Sequence, residues 1–159
     1  MKKIALLAFA LILFNCNGNA QDSKKEEKTF KITKTEAEWK QILSNKQYYV
    51  LREAGTERPF SSALNKEYGS GTYVCAACKT PLFKSENKFD SGTGWPSFDQ
   101  EIKGNVSYSV DYNLGSARTE EHCANCGGHL GHVFNDGPSK TTGKRHCING
   151  VALAFITAK

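Results

Sequence analysis

The chain has 159 residues, of which 39% are hydrophobic, 11% aromatic and 23% charged, with a formal net charge of +5. This is globular composition, too apolar for a disordered chain, in a length that suits one ordinary domain. No apolar run reaches the roughly 18 residues of a membrane span, so a polytopic membrane protein is excluded, as are a collagen-like fibre and a long coiled coil.

Lys2 and Lys3 precede an unbroken apolar run over residues 4–14, and Gly18-Asn19-Ala20 follows as a small-residue cleavage site. A basic start, a short apolar core and small residues describe a secretory signal. An amphipathic first helix is a poor alternative, because the run has no polar face. Residues 1–20 are therefore expected to export the chain to a periplasmic or secreted location. Leu13-Phe14-Asn15-Cys16 also looks like a loose lipobox, in which Cys16 would carry a lipid anchor to a membrane. Removing residues 1–20 takes away two lysines and no acid and lowers the formal charge to +3. Residues 21–34 contain five lysines and read as a charged, solvated linker. Clustered Lys/Arg with interleaved aromatics, the mark of a nucleic-acid surface, are missing.

The body is expected to span 35–159. Thr35-Glu36-Ala37-Glu38 fits a capping box, and Trp39, Ile42 and Leu43 follow at helical spacing, which predicts a helix over 36–44. A second helix is expected over 47–53, stopped by Gly55. Beyond Pro59, Gly, Ser, Asn and Asp punctuate β-type runs at 72–75, 106–112, 118–122 and 151–157. In the second of these, Ser107, Ser109 and Asp111 alternate with Val106, Tyr108, Val110 and Tyr112, the period of a half-buried strand. The chain thus reads as a mainly β domain behind a short helical lead-in.

Cys75-Ala76-Ala77-Cys78 and Cys123-Ala124-Asn125-Cys126 are two C-x-x-C pairs. Four thiolates complete a tetrahedral zinc and leave no open position for chemistry, so such a site is structural. Disulfides are the main alternative in an exported chain, and one redox dithiol is another. Cys147 stands outside both pairs, in Arg145-His146-Cys147-Ile148-Asn149. Its cationic neighbours favour a thiolate nucleophile, yet a lone cysteine is as often a small buried filler. His129 and His132 lie in one short stretch, as ligands, buried polar groups or proton donors. Trp95 sits in a Gly-rich turn, where an indole is more often core than substrate platform.

Taken together, these segments resemble the type B methionine-R-sulfoxide reductases. The matching motifs are Gly55-Thr56-Glu57-Arg58-Pro59-Phe60, both C-x-x-C pairs and Phe89-Asp90-Ser91-Gly92-Thr93-Gly94-Trp95-Pro96-Ser97-Phe98. They continue through Arg118-Thr119-Glu120, His129-Leu130-Gly131-His132-Val133-Phe134, Asp136-Gly137-Pro138 and Arg145-His146-Cys147-Ile148-Asn149. The resemblance implies two antiparallel sheets held by a four-cysteine zinc site remote from the chemistry. It implies Cys147 as the nucleophile that becomes a sulfenic acid, and Trp95 as the ring receiving the substrate methyl group. His132 and Asn149 would orient and activate the sulfoxide, with His129 as a second candidate and Arg145 keeping the thiol ionised. The substrate would be free or protein-bound methionine-R-sulfoxide. In many relatives a resolving cysteine stands at the position of Thr93, so an external reductant, a thioredoxin-like protein or a small thiol, is expected here. His146 replaces the more usual Tyr, with an expected effect on thiol acidity. The rival reading is a zinc-stapled binding module with an inert, buried Cys147.

Overall fold

The computed structural model describes residues 29–159. The expected export signal, Cys16 and the linker as far as residue 28 lie outside the described residues. Two capping boxes launch the two helices. Thr35 accepts from the Glu38 N–H and Glu38 caps the Thr35 N–H at the start of α1 (Glu36–Ile42); Ser44 and Gln47 repeat the arrangement at the start of α2 (Asn45–Glu53). The first helix therefore stops short of residue 44, because Ser44 already serves the next one. The second begins two residues ahead of the expected 47 and is ended by Ala54, left-handed at φ 52, one residue before Gly55. Together the helices bury Trp39, Tyr48, Val50 and Leu51. From the end of the expected linker, Ile32 packs on this core and donates its N–H to the Asn125 carbonyl at 2.9 Å.

All strand pairs are antiparallel, in the two sheets expected. The smaller sheet has β1 (Gly71–Cys75) between β2 (Pro81–Lys84) and β9 (Leu153–Thr157). The larger holds β3 (Lys88–Phe89), β4 (Ser97–Phe98), β5 (Val106–Asp111), β6 (Arg118–Cys123), β7 (His129–Phe134) and β8 (Arg145–Ile148), in the order β3-β4-β8-β7-β6-β5. Aromatic packing joins the two: Phe83 of β2 stacks on Phe98 of β4 at 4.4 Å, and Tyr73 of β1 meets Phe98 edge-on at 4.9 Å.

Strand β5 keeps the predicted alternation: Val106 at its start is buried in the core, and from residue 108 onward the polar side is the covered one. Tyr108 and Val110 are exposed at 39% and 61%, while Asp111 is buried. The polar face turns inward because β6 and β7 offer it partners, Glu120 and His122 for Ser109, Arg118 and His132 for Asp111. Polar residues on a strand mark the wet face only when the neighbouring strands are apolar.

Candidate active site

The four paired cysteines converge where the ends of β1 and β6 meet. Cys75 Sγ lies 3.8 Å from Cys126 Sγ, and Cys78 Sγ lies 3.5 Å from Cys123 Sγ. All four sulfurs fall within 4.8 Å of one another. These are not disulfide distances; an ion with bonds of about 2.3 Å to a tetrahedron of sulfurs holds them about 3.8 Å apart. The donor set thus fits a metal ion bound by four thiolates. None of the four cysteines lines the cavity described next.

Cys147 is carried by β8, which is hydrogen-bonded on both sides. It pairs with Ser97 of β4 and with His132 of β7, so these side chains share one face of the large sheet. Strand β7 closes on β8 through Gly131, where a Cβ would stand 2.0 Å from the Cys147 carbonyl oxygen. On this face a cavity of about 300 Å³ is walled by Thr93, Trp95, Arg118, His132, Cys147 and Asn149, among others. Cys147, His132, Trp95, Asn149 and Arg145 all border it; His129 does not.

Burial raises the Cys147 thiol above the ordinary cysteine range, opposed by the Arg145 guanidinium and by a hydrogen bond from the Thr93 hydroxyl. Arg145 acts on the thiol in the expected direction, but in the unliganded site burial outweighs it. The guanidinium is held by a two-pronged pair with Asp136, both contacts at 2.9 Å, and by the Phe134 ring 4.5 Å away. Thr93 belongs to a hydroxyl chain: Ser91 Oγ is 2.8 Å from Thr93 Oγ1 and 2.7 Å from Ser97 Oγ.

His146 does not share this environment. Successive strand residues point to opposite faces, and its ring bonds Glu121 Oε1 through Nδ1 at 2.6 Å on the far side of the sheet. Its Nε2 is 3.4 Å from Glu101. The expectation that His146 flanks the thiol as a cationic neighbour is therefore corrected: adjacency in sequence is separation in space.

His132 is fixed from behind. Its Nε2 is 2.8 Å from Asp111 Oδ2, and Asp111 also accepts from Arg118. The Asn113 backbone N–H, then His132 and Arg118, hold the Asp111 carboxyl down to about 2, so it is an anion facing the imidazole. His129 sits behind His132 with the rings edge-on at 5.6 Å, and its Nδ1 is 2.5 Å from Glu120 Oε1. Burial pushes its imidazole below the ordinary range.

Asn149 is built into the frame rather than merely aimed at the cavity. Its Nδ2 donates to the Leu130 carbonyl at 3.0 Å and its Oδ1 accepts from the Glu57 N–H at 2.9 Å. Trp95 Nε1 donates to the Glu57 carbonyl at 3.2 Å, and the Glu57 carboxylate accepts from the N–H groups of Gly150 and Val151. Glu57 thereby binds the wall that carries Trp95 to the one that carries Cys147. Sequence reasoning gave no role to Glu57, Asp111 or Arg118. The signal for Glu57 and Arg118 was their place in the quoted motifs, and Asp111 entered only as one polar position in the alternation of β5.

The fold and site define a class: a two-sheet β protein with four cysteines gathered in a set that fits a metal ion, and with Cys147 in a small cavity between an indole and an anion-backed imidazole. The chain matches the SelR domain over residues 43–157 and belongs to that family. It is 49% identical over 135 residues to a peptide methionine sulfoxide reductase MsrB of Alteromonas mediterranea, covering 84% of this chain and 91% of the relative. It is 51% identical to one of Leptospira interrogans, over 79% of this chain and 96% of the relative. A probable methionine-R-sulfoxide reductase B of Caenorhabditis elegans is 47% identical, over 82% of this chain and 87% of that one.

Proposed function

We propose that this chain is an oxidoreductase that reduces the R epimer of methionine sulfoxide, free or within proteins, to methionine. The observation that carries the reading is the shared cavity: a free thiol, an indole and an anion-backed imidazole border about 300 Å³, room for a methionine sulfoxide side chain. Membership of a family whose relatives bear that name supports it.

In this mechanism the Cys147 thiolate attacks the sulfoxide sulfur and the oxygen gathers negative charge. His132 holds Asp111 through Nε2, and as an imidazolium can release a proton from Nδ1 to that oxygen; such positioned acids contribute about 10²–10⁴-fold. Collapse of the adduct leaves the hydroxyl on Cys147 as sulfenic acid and releases methionine. The substrate sulfur gains two electrons and Cys147 loses two. Trp95, fixed by Glu57, offers an apolar face for the methyl group opposite the polar oxygen site, so the two epimers fit unequally. Arg145 and Thr93 stabilise the thiolate, and Asn149 holds the cavity wall. His129, outside the cavity, positions the neighbouring ring. Thr93 cannot resolve the sulfenic acid, so two external thiols, on a thioredoxin-like protein or a small molecule, reduce it to thiol and water.

Zinc is the ion we assign to Cys75, Cys78, Cys123 and Cys126, since four thiolates in a tetrahedron suit it and closed sites of this kind are structural. Residues 1–20 are proposed to direct export, with Cys16 as the lipid-bearing residue if the segment is processed as a lipoprotein signal. Incubation with dithiothreitol and resolved R- and S-sulfoxides of a blocked methionine tests the activity. Loss of the R form alone is expected; persistence of both with folded, metal-loaded protein would overturn it and favour a binding module.

A further inference from the structure

A second group of metal-donor side chains lies beside the Cys147 cavity but forms no part of its wall. Glu120 and His122 stand on β6 and His129 on β7, and the register sets His122 opposite His129 and Glu120 opposite His132. One carboxylate lies between two imidazoles: Glu120 Oε1 is 2.5 Å from His129 Nδ1, and Glu120 Oε2 is 3.4 Å from His122 Nε2. One donor atom from each of the three residues falls within 4.8 Å of the other two. A tetrahedral cation with bonds of about 2.0–2.2 Å to nitrogen and oxygen holds its donors about 3.3–3.6 Å apart, so the Glu120–His129 contact opens while the wider contacts close, within reach of small side-chain rotations.

The surroundings suit a ligand. His129 is only 4% exposed, with Nδ1 turned to Glu120 and Nε2, at the other end of the ring, without a hydrogen-bond partner among the described residues. Ser109 Oγ lies 2.8 Å from His122 Nε2 and 3.3 Å from Glu120 Oε2, a neutral oxygen beside the three donors. Arg118, two residues before Glu120 on β6, pairs with Asp111. Two imidazoles and one carboxylate form a borderline donor set that suits zinc and its first-row neighbours rather than magnesium or calcium.

We propose that Glu120, His122 and His129 form a second divalent-cation site, weaker than the thiolate cluster, that takes zinc or a similar transition-metal ion. The bound ion takes the place of the Glu120–His129 hydrogen bond and draws His122 into the same group. This site is separate from the four cysteines and stands whether or not the proposed reductase activity does.

The test uses untagged Cys147→Ser protein, so that the cavity thiol cannot contribute a ligand, dialysed against rising free zinc with metal-to-protein ratio as the readout. One tightly held equivalent and a second, weaker one are expected, with the second accompanied by shifts of the His122 and His129 ring signals. His122→Ala and Glu120→Gln are each expected to weaken only the second equivalent by about 100-fold or more, since even outer partners of a metal site are worth 10–100-fold. Retention of the first equivalent certifies that a variant is folded; if His122→Ala loses it, Glu120→Gln decides. A single equivalent up to about 1 mM free zinc would overturn the proposal. So would a second equivalent that both folded variants bind undiminished.

Discussion

In the four-cysteine cluster each pair of ligands sits on a turn closed by the same two backbone hydrogen bonds, whereas the walls around Cys147 come from five separate segments. In the first turn the Lys79 N–H bonds the Cys75 carbonyl and the Cys75 N–H bonds the Thr80 carbonyl, both at 2.8 Å. In the second, Gly127 bonds Cys123 at 2.8 Å and Cys123 bonds Gly128 at 2.9 Å. Both turns leave through a left-handed residue, Lys79 at φ 63 and Gly127 at φ 70. Cys147 has no comparable local frame; Thr93, Trp95, Arg118 and His132 reach it only when β4, β6, β7 and β8 assemble. Two cysteines separated by two residues specify their own geometry, while Cys147 borrows its geometry from the whole sheet.

Removing the metal breaks this comparison most severely. Chelation, or Cys123→Ser, is expected to abolish cooperative thermal unfolding, because an ion held by the four thiolates would tie β1 to β6 and its binding energy would be folding energy. A variant without metal that unfolds as sharply as the parent would refute the structural role. Cys147→Ser should do the reverse, eliminating sulfoxide reduction while metal content and melting temperature stay put. Turnover that survives this change rules Cys147 out as the nucleophile.

Between these extremes lies the Asp111–His132 pair. Asp111→Asn should lower kcat about 10²-fold, the lower end for a positioned acid, with unchanged metal content. Its carboxyl is held down to about 2, below its unfolded value of about 4, so it stabilises the fold fully above pH ~4 and progressively less as pH falls toward 2. Acid titration of stability should therefore be flatter in Asp111→Asn over that interval; superimposable curves would count against the anion. Arg145→Met tests the thiol itself. Burial already raises Cys147 and Arg145 opposes it, so the rising limb of the pH–rate profile should move to higher pH. Activity near pH 7 should fall roughly 10-fold for each unit of that movement. An unmoved limb would assign Arg145 to substrate binding alone.

The smallest effect belongs to the difference between the two turns. Lys79 is exposed and left-handed where its counterpart is glycine, so Lys79→Gly should relieve strain and stabilise by about 1 kcal/mol. A loss of stability would mean that the lysine side chain, which donates to the Ala76 carbonyl at 3.2 Å, matters more than the backbone.

The same contrast explains what sequence alone could supply. The metal ligands and the first capping box were legible because their spacing is their geometry. The second capping box, Ser44 with Gln47, was equally local and was passed over. Strands β3 and β4, two residues each, have no pattern of their own and exist because β8 pairs with β4. Asp111 was hidden because alternation alone does not say which face of a strand is covered, and the buried Glu121–His146 pair by a separation of 25 residues. Cys147, Trp95, His132 and Asn149 were accessible through family resemblance, and only the fold separates His129 from the cavity they share.

Strand β8 is clamped between β4 and β7, with Gly131 drawing one neighbour to within contact of the nucleophile's own carbonyl. On the proposed mechanism, a Cys147 held this way does not travel out to be rescued, as it could on a hinged loop. The moving part of the proposed cycle then belongs to the reductant, which must present its sulfur at the cavity mouth. Under that reading the shape of the opening selects the electron donor, as a lock in a fixed wall selects its key.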